Sequence, residues 1–334
     1  MSKLKIAVVM STYNGEKYIK SQLESILNQK FNHDEFELHI YIRDDGSDDS
    51  TLKIISEYES KYPLIISQVD KISSNLGVKI SFFRLIKLVK ADYYFFSDQD
   101  DIWLPNKVSK FMITFGNERS DLPIGIYSDL WIADKNGVSE NKTMKKGTVA
   151  GKRHENYLPT LLTRYLVTGA SFAINNCTAI SLYDIHNETL DKVRMHDSFI
   201  ALFVAMYGKL YYIDEPLINY RQHENNVVGA SFKSRANVFS KLIQIKKVKK
   251  DKKQQVIDFY LMSNLHSDQI LGENKQLVTT MKNYVLQRNP FVRIKILFPI
   301  RRVLSAKNPI LSLIFYAFII NFSQIEVKDL KNVE

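Results

Sequence analysis

Apolar runs of strand length alternate with helically spaced apolar positions over roughly the first hundred residues. Strand-like runs occur at residues 5–10, 37–42, 64–69 and 92–96. Helical spacing of apolar side chains occurs between them, at residues 16–29, 52–58 and 79–90. The run at 5–10 is almost wholly apolar, as in strands that helices cover on both faces. The alternation predicts an α/β fold with a parallel sheet.

Further elements are predicted beyond residue 100. Helical patterns occur at residues 107–115 and 199–207, and strand patterns at 124–132, 166–174 and 209–213. Gly169 and Ala170 lie inside the second of these strands, where a ligand or another backbone segment would approach closely. Residues 136–153 are rich in Lys and Gly, and we expect them to form a mobile loop.

A polar cluster follows each of the first four predicted strands. The clusters are Thr12-Tyr13-Asn14-Gly15, Asp44-Asp45-Gly46-Ser47, Asn75 with Gly77, and Asp98-Gln99-Asp100-Asp101. Each has an ordinary structural explanation, because Asn and Gly tolerate left-handed backbone and Asp and Ser cap helices. However, ligands of open parallel sheets bind beyond the carboxyl ends of the strands. Four clusters at that edge therefore favour a binding site.

The last cluster places three carboxylates within four residues. Neighbouring carboxylates resist burial, so they need a cation or hydrogen-bond donors unless the turn is simply solvated. Asp98 and Asp100 are candidate ligands for Mn²⁺ or Mg²⁺, which prefer hard oxygen ligands and bridge phosphate oxygens. The sequence contains no GxxxxGK or GxGxxG loop and no calcium-loop spacing. The four clusters together favour a metal and phosphate site over an acidic turn in water.

Two later segments add candidate site residues. Asp197 precedes a strongly apolar helical segment, so it is either a simple helix cap or a group on the ligand-binding edge, and the two roles are compatible. His223 follows a predicted strand and stands two residues after Arg221. A lone histidine is more often a surface or core residue, but here it is also a candidate for contact with a metal or a diphosphate.

The net charge of +10 is concentrated near the C-terminus. Residues 231–334 contain 19 bases and 7 acids, which leaves a charge of −2 for residues 1–230. Such an excess indicates an anionic partner, either nucleic acid or acidic lipid, or only a solvated face. The apolar run at 310–322 is shorter than the ~20 residues of a bilayer span, so it is either a buried core helix or an interfacial helix. The bases around it favour contact with the inner face of the plasma membrane.

Length and composition suit a folded protein with two parts. We expect one domain at residues 1–230 and a basic, mainly helical region at 231–334. The single cysteine, Cys177, fits a reducing compartment, and the first residues lack the features of a signal peptide. We expect a cytoplasmic protein that is peripheral at the membrane.

Six motifs in a fixed order resemble the family 2 glycosyltransferases of the GT-A fold. They are Ser-Thr-Tyr-Asn-Gly at 11–15, Arg-Asp-Asp-Gly-Ser at 43–47, Asn-Leu-Gly at 75–77, Phe-Ser-Asp-Gln-Asp-Asp-Ile-Trp at 96–103, His-Asp at 196–197 and Tyr-Arg-Gln-His at 220–223. The similarity covers about residues 4–230, and the branch that the chain resembles is the bacterial rhamnosyltransferase-like one. It implies a Rossmann-like nucleotide-diphospho-sugar transferase fold with a mixed, mostly parallel sheet and a basic C-terminal helical appendage.

The resemblance also implies a role for each motif. The nucleotide contacts that it implies are Thr12, Tyr13, Asn14, Asp44, Asp45, Asn75, Gly77 and Asp98. The metal ligands that it implies are Asp100 and Asp98, together with His223. Asp197 corresponds to the catalytic base, and His196 stands where the family usually has Glu. His196, Arg221 and Trp103 are expected to contact the acceptor or the diphosphate, with an anchor for the acidic loop as the alternative for Trp103.

The implied reaction is an inverting, metal-dependent transfer of a single sugar from a nucleoside diphosphate donor, dTDP-rhamnose or a UDP-sugar. Transfer of single sugars is expected because the Gln-x-x-Arg-Trp signature of processive synthases is absent. The acceptor that the resemblance implies is a hydroxyl of a polysaccharide, lipid-linked or protein-linked glycan. One alternative is a nucleotidyltransferase, although residues 11–17 contain only one base. The other is a basic nucleic-acid-binding protein, although the C-terminal lysines lack interleaved aromatic residues. We therefore expect no nucleic-acid partner.

Overall fold

The computed structural model describes residues 2–71, 75–118, 121–145, 148, 154–222 and 238–331. Contacts within the chain group it into two compact units. The first comprises Met1–His154, Val167–Ile185 and Lys209–Ala230, and the second comprises Glu155–Leu166, His186–Gly208 and Ser231–Glu334. This grouping differs from the predicted division at residue 230, because residues 186–208 pack with the C-terminal helices. The predicted division of function, between a domain at residues 1–230 and a basic helical region at 231–334, stays a prediction.

The regular elements follow the predicted alternation closely. The strands are β1 (Leu4–Thr12), β2 (Phe36–Asp44), β3 (Ile66–Gln68), β4 (Tyr93–Ser97), β5 (Ile102–Trp103), β6 (Ile124–Ala133), β7 (Ser139–Thr143), β8 (Phe172–Asn175) and β9 (Lys209–Arg221). The α-helices are α1 (Ile19–Leu27), α2 (Thr51–Lys61), α3 (Val78–Leu88), α4 (Lys107–Gly116), α5 (Leu158–Leu161), α6 (Asn176–Ser181), α7 (Asn187–Lys192), α8 (His196–Tyr207), α9 (Val238–Leu265), α10 (Lys275–Leu286), α11 (Pro290–Leu297), α12 (Arg301–Leu304), α13 (Pro309–Ile314) and α14 (Gln324–Lys331).

Within the described residues of the first unit, the strands form one sheet in the order β3-β2-β1-β4-β8-β6-β9-β5, with β7 beside β6. β1 is parallel to both β2 and β4, and its register places Thr12 beside Asp44 and Met10 beside Ser97. The ends of these three strands therefore meet at one edge, where the polar clusters begin. The sheet is mixed and mostly parallel, which confirms the predicted class.

Three predicted elements differ from the structure. The strand expected at 166–174 begins only at Phe172, because residues 169–171 form a 3₁₀ turn in which the Ser171 N–H bonds to the Thr168 carbonyl. The loop expected at 136–153 contains β7, a polar strand at the edge of the sheet whose residues give no apolar signal. The strand expected at 209–213 continues to Arg221, through a register shift beside Pro216.

The second unit is helical in the parts that the structure describes. α8 is buried along almost its whole length, which explains its apolar sequence. The Tyr207 hydroxyl donates to the Met262 carbonyl of α9, and the Asn274 amide donates to the Ala205 carbonyl of α8. Along the described residues, no helix is long and apolar enough to cross a membrane.

Candidate active site

The loops after β1 and β2 are joined by side-chain hydrogen bonds. The Thr12 hydroxyl donates to Asp44 Oδ2 at 2.7 Å, and Asp44 also accepts bonds from the Ser47 hydroxyl at 2.6 Å and the Ser47 N–H at 2.8 Å. The Asn14 N–H donates to Ser47 Oγ at 2.9 Å, in a left-handed backbone conformation with φ of 47°. The Gly15 N–H donates to Thr51 Oγ1 at 2.8 Å. The structure thus brings together the first two predicted clusters.

Asp45 connects the second cluster to the third. Its buried carboxylate accepts bonds from the Leu76 and Gly77 N–H groups, each at 2.8 Å, and lies 2.5 Å from a guanidinium nitrogen of Arg43. Gly77 has φ of 79°, a conformation that L side chains rarely adopt, and its N–H is 3.2 Å from Asn75 Oδ1. Asp45 therefore holds the Asn75-to-Gly77 turn beside the carboxyl end of β2. Its predicted contact with a nucleotide base stays a prediction.

The acidic turn divides its three carboxylates between the surface and the interior. Asp98 and Asp100 are partly exposed, whereas Asp101 is fully buried and accepts a bond from the Arg221 N–H at 3.1 Å. Burial raises the pKa of Asp101 well above its usual value, and the charges of Asp100 and Asp98 raise it further. Only Asp98 and Asp100 of this turn are therefore placed to meet a ligand.

Lys107 lies beneath the acidic turn, and it was not among the residues predicted from the sequence. Its buried ammonium donates to the Ala170 carbonyl at 2.8 Å and lies 3.4 Å from the centroid of the Trp103 ring. Burial lowers the pKa of Lys107 well below its usual value, although Asp101 and Asp98 act in the opposite direction. Its helical spacing to the buried Phe111 is the sequence signal that could have identified it.

Trp103 is buried beside Lys107, and its backbone N–H donates to Ser25 Oγ at 3.0 Å. β5 also pairs Trp103 with Ile218 of β9. In this structure Trp103 is therefore an anchor of the acidic loop, which was the alternative to its predicted contact with the acceptor. Its predicted contact with the acceptor or the diphosphate stays a prediction.

Gln99 links the acidic turn to the loop after β1, a role that was not predicted from the sequence. Its side-chain amide and the Tyr13 backbone exchange two hydrogen bonds, each of 2.9 Å. A Cβ added at Gly15 would lie 2.3 Å from Gln99 Oε1, so this loop position has room only for glycine while the amide stays in place. The fourth cluster is thereby tied to the first.

Arg221 ends β9 within the first unit. Besides the bond from its N–H to Asp101, its guanidinium carbon lies 4.5 Å from the centroid of the Tyr18 ring and one of its nitrogens lies 3.4 Å from Ser21 Oγ. The structure therefore brings Arg221 to the acidic turn and to α1. His223, a predicted metal ligand, lies outside the described residues.

Asp197 and His196 belong to the second unit. Asp197 is the second residue of α8, since the N-cap is Met195, and its Oδ1 accepts a bond from the Ser198 N–H at 2.6 Å. The positive end of the helix stabilises a carboxylate there. His196 is buried, and burial lowers its pKa to about 4. His196 is therefore uncharged near neutral pH.

A divalent cation at the acidic turn requires oxygen ligands from the protein and from its other partners. Among the described residues, no three His, Cys, Asp or Glu side chains converge on one point. Asp98 and Asp100 offer two hard oxygen ligands, and Mg²⁺ and similar ions commonly bind one or two carboxylates together with substrate phosphates and water. The residues present fit an ion that binds together with a diphosphate.

Comparisons with known sequences agree with the motifs. A family model described as glycosyl transferase family 2 matches residues 7–180. The dTDP-rhamnosyl transferase RfbG of Shigella flexneri is 31% identical over 234 residues, which is 68% of this chain and 76% of that protein.

Solved structures share the fold. TarS of S. aureus has a TM-score of 0.52 at 18% identity, over 99% of this chain and 55% of that one. Its fragment 1–349, solved with UDP-GlcNAc, has a TM-score of 0.50 at 18% identity, over 99% and 90%. The mannosyltransferase PcManGT of Pyrobaculum calidifontis, solved with GDP-Man and Mn²⁺, has a TM-score of 0.51 at 12% identity, over 100% and 85%.

Proposed function

The chain belongs to glycosyl transferase family 2 and has the GT-A fold, and we propose that it transfers a single sugar from a nucleoside diphosphate donor to a glycan hydroxyl, with inversion at the anomeric carbon. The family identifies a glycosyltransferase, which sets aside the nucleotidyltransferase and the nucleic-acid-binding protein as alternatives. The donor, the acceptor, the metal and the catalytic residues are the parts that we propose.

The observation that carries the proposal is the joining of the polar clusters at one edge of the sheet. Thr12 bonds to Asp44, Asp45 holds the turn at Gly77, and Gln99 holds Tyr13. Cross-linked loops of this kind keep their polar groups in place before a ligand binds, which lowers the entropy cost of binding. A preorganised polar rim at this edge suits a nucleotide.

A pyrimidine donor, either dTDP-rhamnose or a UDP-sugar, is the best supported. One relative is named a dTDP-rhamnosyl transferase, and TarS was solved with UDP-GlcNAc. We assign Tyr13, whose ring is exposed, to stacking on the base, and Thr12 and Asn14 to the ribose and the base, as the family resemblance implies. We assign Asp44, Asp45, Asn75 and Gly77 to the same nucleotide subsite.

Asp98 and Asp100 would hold Mn²⁺ or Mg²⁺, with His223 as a further ligand. When bound, such an ion supplies positive charge to the departing diphosphate. PcManGT was solved with Mn²⁺, which supports manganese as the first ion to test. Asp101, at the end of the turn, is held by the Arg221 N–H, and the neighbouring Lys107 is held by the Ala170 carbonyl.

Asp197 is proposed as the general base. It would take the proton from the acceptor hydroxyl while that oxygen forms a bond to the anomeric carbon and the bond from that carbon to the diphosphate breaks. The sugar is then linked to the acceptor, and the nucleoside diphosphate leaves with the electron pair. The assignment rests on the family resemblance and on the position of Asp197 at the start of α8. His196 and Arg221 are proposed to assist near the acceptor and the diphosphate.

The acceptor is proposed to be a polysaccharide, a lipid-linked glycan or a protein-linked glycan of the cell surface. A bacterial rhamnosyltransferase is among the relatives, which supports polysaccharide assembly. We propose that the enzyme works on the cytoplasmic side, at the periphery of the membrane.

A panel of donors tests the proposal. Calorimetry with dTDP-rhamnose, UDP-GlcNAc, UDP-glucose and GDP-mannose, each with and without Mn²⁺, should identify one pyrimidine donor that binds at least about tenfold more tightly than GDP-mannose, a difference of about 1.4 kcal/mol. The same donor should be hydrolysed slowly, and only with the metal. Tightest binding of GDP-mannose would contradict the pyrimidine assignment. Failure of every donor to bind would contradict the proposed function.

A further inference from the structure

Large apolar side chains are exposed on two neighbouring helical segments of the second unit. α13 continues into a π-helical turn at Phe315–Ile319, and the exposed residues there follow a helical spacing. α11 exposes Phe291, and Phe298, seven residues further on, begins the 3₁₀ turn that follows the helix. The surface, called the docking face below, consists of Phe291, Phe298, Ile310, Leu311, Ile314 and Phe318.

The two segments form one surface because they touch. The rings of Phe291 and Phe318 meet edge to face, with centroids 5.7 Å apart. α11 packs against α13 and against the π-helical turn. Apolar side chains that are clustered in this way on a folded surface usually mark an interaction site.

The inner side of the same segments is firmly packed, so the outward position of the docking face is fixed. Tyr316 and Ile320 are buried, and their carbonyls accept bonds at 2.8 Å from the Tyr284 hydroxyl and from the Arg293 guanidinium, respectively. Arg293 also donates to the Gln287 carbonyl at 2.6 Å. The apolar run at 310–322 thus has one buried side, which includes Tyr316 and Ile320, and one exposed side, which includes Leu311 and Phe318.

The stretch of sequence that carries the docking face is basic and contains no acidic residue. Residues 274–325 contain eight Lys or Arg residues and no Asp or Glu. Lys295, Arg302 and Lys307 are exposed, and the Arg301 guanidinium lies 4.0 Å from the centroid of the Phe298 ring. Lys295 lies one helical turn after Phe291 on the same side of α11, so a cation and an apolar group share one surface.

We propose that the docking face binds the surface of an anionic phospholipid bilayer. Its apolar side chains would enter the boundary between headgroups and acyl chains, while the lysines and arginines meet the phosphates. No helix of the described residues could span the bilayer, which agrees with binding at its surface. A second copy of the chain fits poorly, because a two-fold contact would bring these like charges together. Nucleic acid fits less well, because Ile310, Leu311 and Ile314 offer no ring on which a base could stack, whereas aliphatic side chains suit the boundary between headgroups and acyl chains.

Vesicle flotation of the full chain tests the proposal without any donor or acceptor, so its result is independent of the proposed transferase activity. Vesicles of phosphatidylcholine with about 30% phosphatidylglycerol should carry the protein, and pure phosphatidylcholine should carry at least about tenfold less. Leu311→Glu should reduce binding to the anionic vesicles at least tenfold. Ile113→Glu is the matched control. Ile113 lies on α4 of the first unit, and its side chain is 65% exposed, close to the 67% of Leu311.

A charge variant keeps the test valid if the apolar variant folds poorly. Lys295→Glu with Arg302→Glu should reduce binding at least about tenfold, whereas Lys53→Glu on α2 should leave it unchanged. Circular dichroism confirms that each variant is folded. Equal binding of the parent and the docking-face variants would overturn the proposal, as would an absence of vesicle binding by the parent. A parent dimer in sedimentation that Leu311→Glu dissociates, without vesicle binding, would assign the face to a second copy instead.

Discussion

The side-chain amide of Gln99 and the backbone of Tyr13 exchange two hydrogen bonds of 2.9 Å across 86 residues of sequence. The Tyr13 N–H donates to Gln99 Oε1, and Gln99 Nε2 donates to the Tyr13 carbonyl. The loop that we assign to the nucleotide is thereby tied to the turn that we assign to the metal. The arrangement suggests that the position of one loop determines the position of the other.

Gln99→Ala should weaken donor binding by about three- to tenfold, or about 0.7–1.4 kcal/mol, because the loop after β1 loses two bonds that hold it in place. Gly15→Ala should have the same effect, since its Cβ would lie 2.3 Å from Gln99 Oε1 and displace the amide. The double variant should bind donor no worse than either single variant. Calorimetric titration of all three proteins measures this coupling.

Gly116→Ala is the control for the glycine change, because a Cβ there meets nothing within 4 Å. It should bind donor as the parent does. Additive losses in the double variant would show that Gly15 and Gln99 act separately, and the link between the two loops would then have no effect on binding.

Arg43→Met should lower the free energy of unfolding by about 3–5 kcal/mol, because it leaves buried carboxylates without their cation. The Arg43 guanidinium is fully buried and lies 2.5 Å from Asp45 and 2.9 Å from Asp70. Arg84 also pairs with Asp70 at 2.8 Å, but its side chain is 42% exposed. Arg84→Met should therefore cost only about 0–1 kcal/mol. Urea unfolding measures both, and equal losses would contradict the importance of burial here.

The parallel part of the sheet could be predicted from the sequence because its strands are apolar on both faces. β1 and β4 pair along their buried centres, and helices cover them, so each strand carries its own signal. β7 carries none, since a polar strand at the edge has no buried face. The turn at Gly169–Ser171 was also missed, because a buried 3₁₀ turn and a buried strand have similar composition.

The loops of the site were predictable for a related reason. Asp, Asn, Gly and Ser after a strand are residues that turns require, so Asp44, Asn75 and Gly77 could be identified from type and position. Gln99 and Lys107 could not be assigned in this way. Their roles come from contacts with Tyr13 and Ala170, which are distant in sequence and become neighbours only in the folded sheet.

Mn²⁺ should increase the affinity for the donor in the parent. In Asp100→Asn this increase should be at least about tenfold smaller, because an amide is a weaker ligand than a carboxylate for a hard cation. Calorimetry of UDP or dTDP with and without Mn²⁺ measures the gain directly. Asp184→Asn is the matched control. β8 runs antiparallel to β4, so the chain that follows it, including the exposed Asp184, leaves the sheet at the opposite edge. Retention of the Mn²⁺ effect in Asp100→Asn would contradict the assignment.

Asp197→Asn should lower kcat by about 10²–10⁴-fold, the usual contribution of a general base, while donor binding stays as in the parent. The amide has nearly the same size but cannot take the acceptor proton. Asp191→Asn, at an exposed position of α7, is the control and should be fully active. Normal turnover of Asp197→Asn in a radiolabelled sugar transfer assay would remove Asp197 from the mechanism.

The pH dependence of stability should carry a contribution from His196. Burial lowers the pKa of His196 from 6.5 to about 4 in the folded protein. Between these values the unfolded chain binds a proton that the folded chain does not, so the free energy of unfolding falls as the pH is lowered. From about pH 7.5 to about pH 5 the loss should be ~2 kcal/mol.

His196→Gln isolates this contribution, because glutamine is neutral throughout and every other titrating group is retained. Urea unfolding of both proteins at the two pH values gives four free energies, and the parent should lose ~2 kcal/mol more than the variant on acidification. The absolute stability of the variant does not matter to the comparison, since only the change with pH is used. An equal loss in both proteins would mean that His196 takes up its proton as readily when folded as when unfolded, which its burial at the start of α8 argues against.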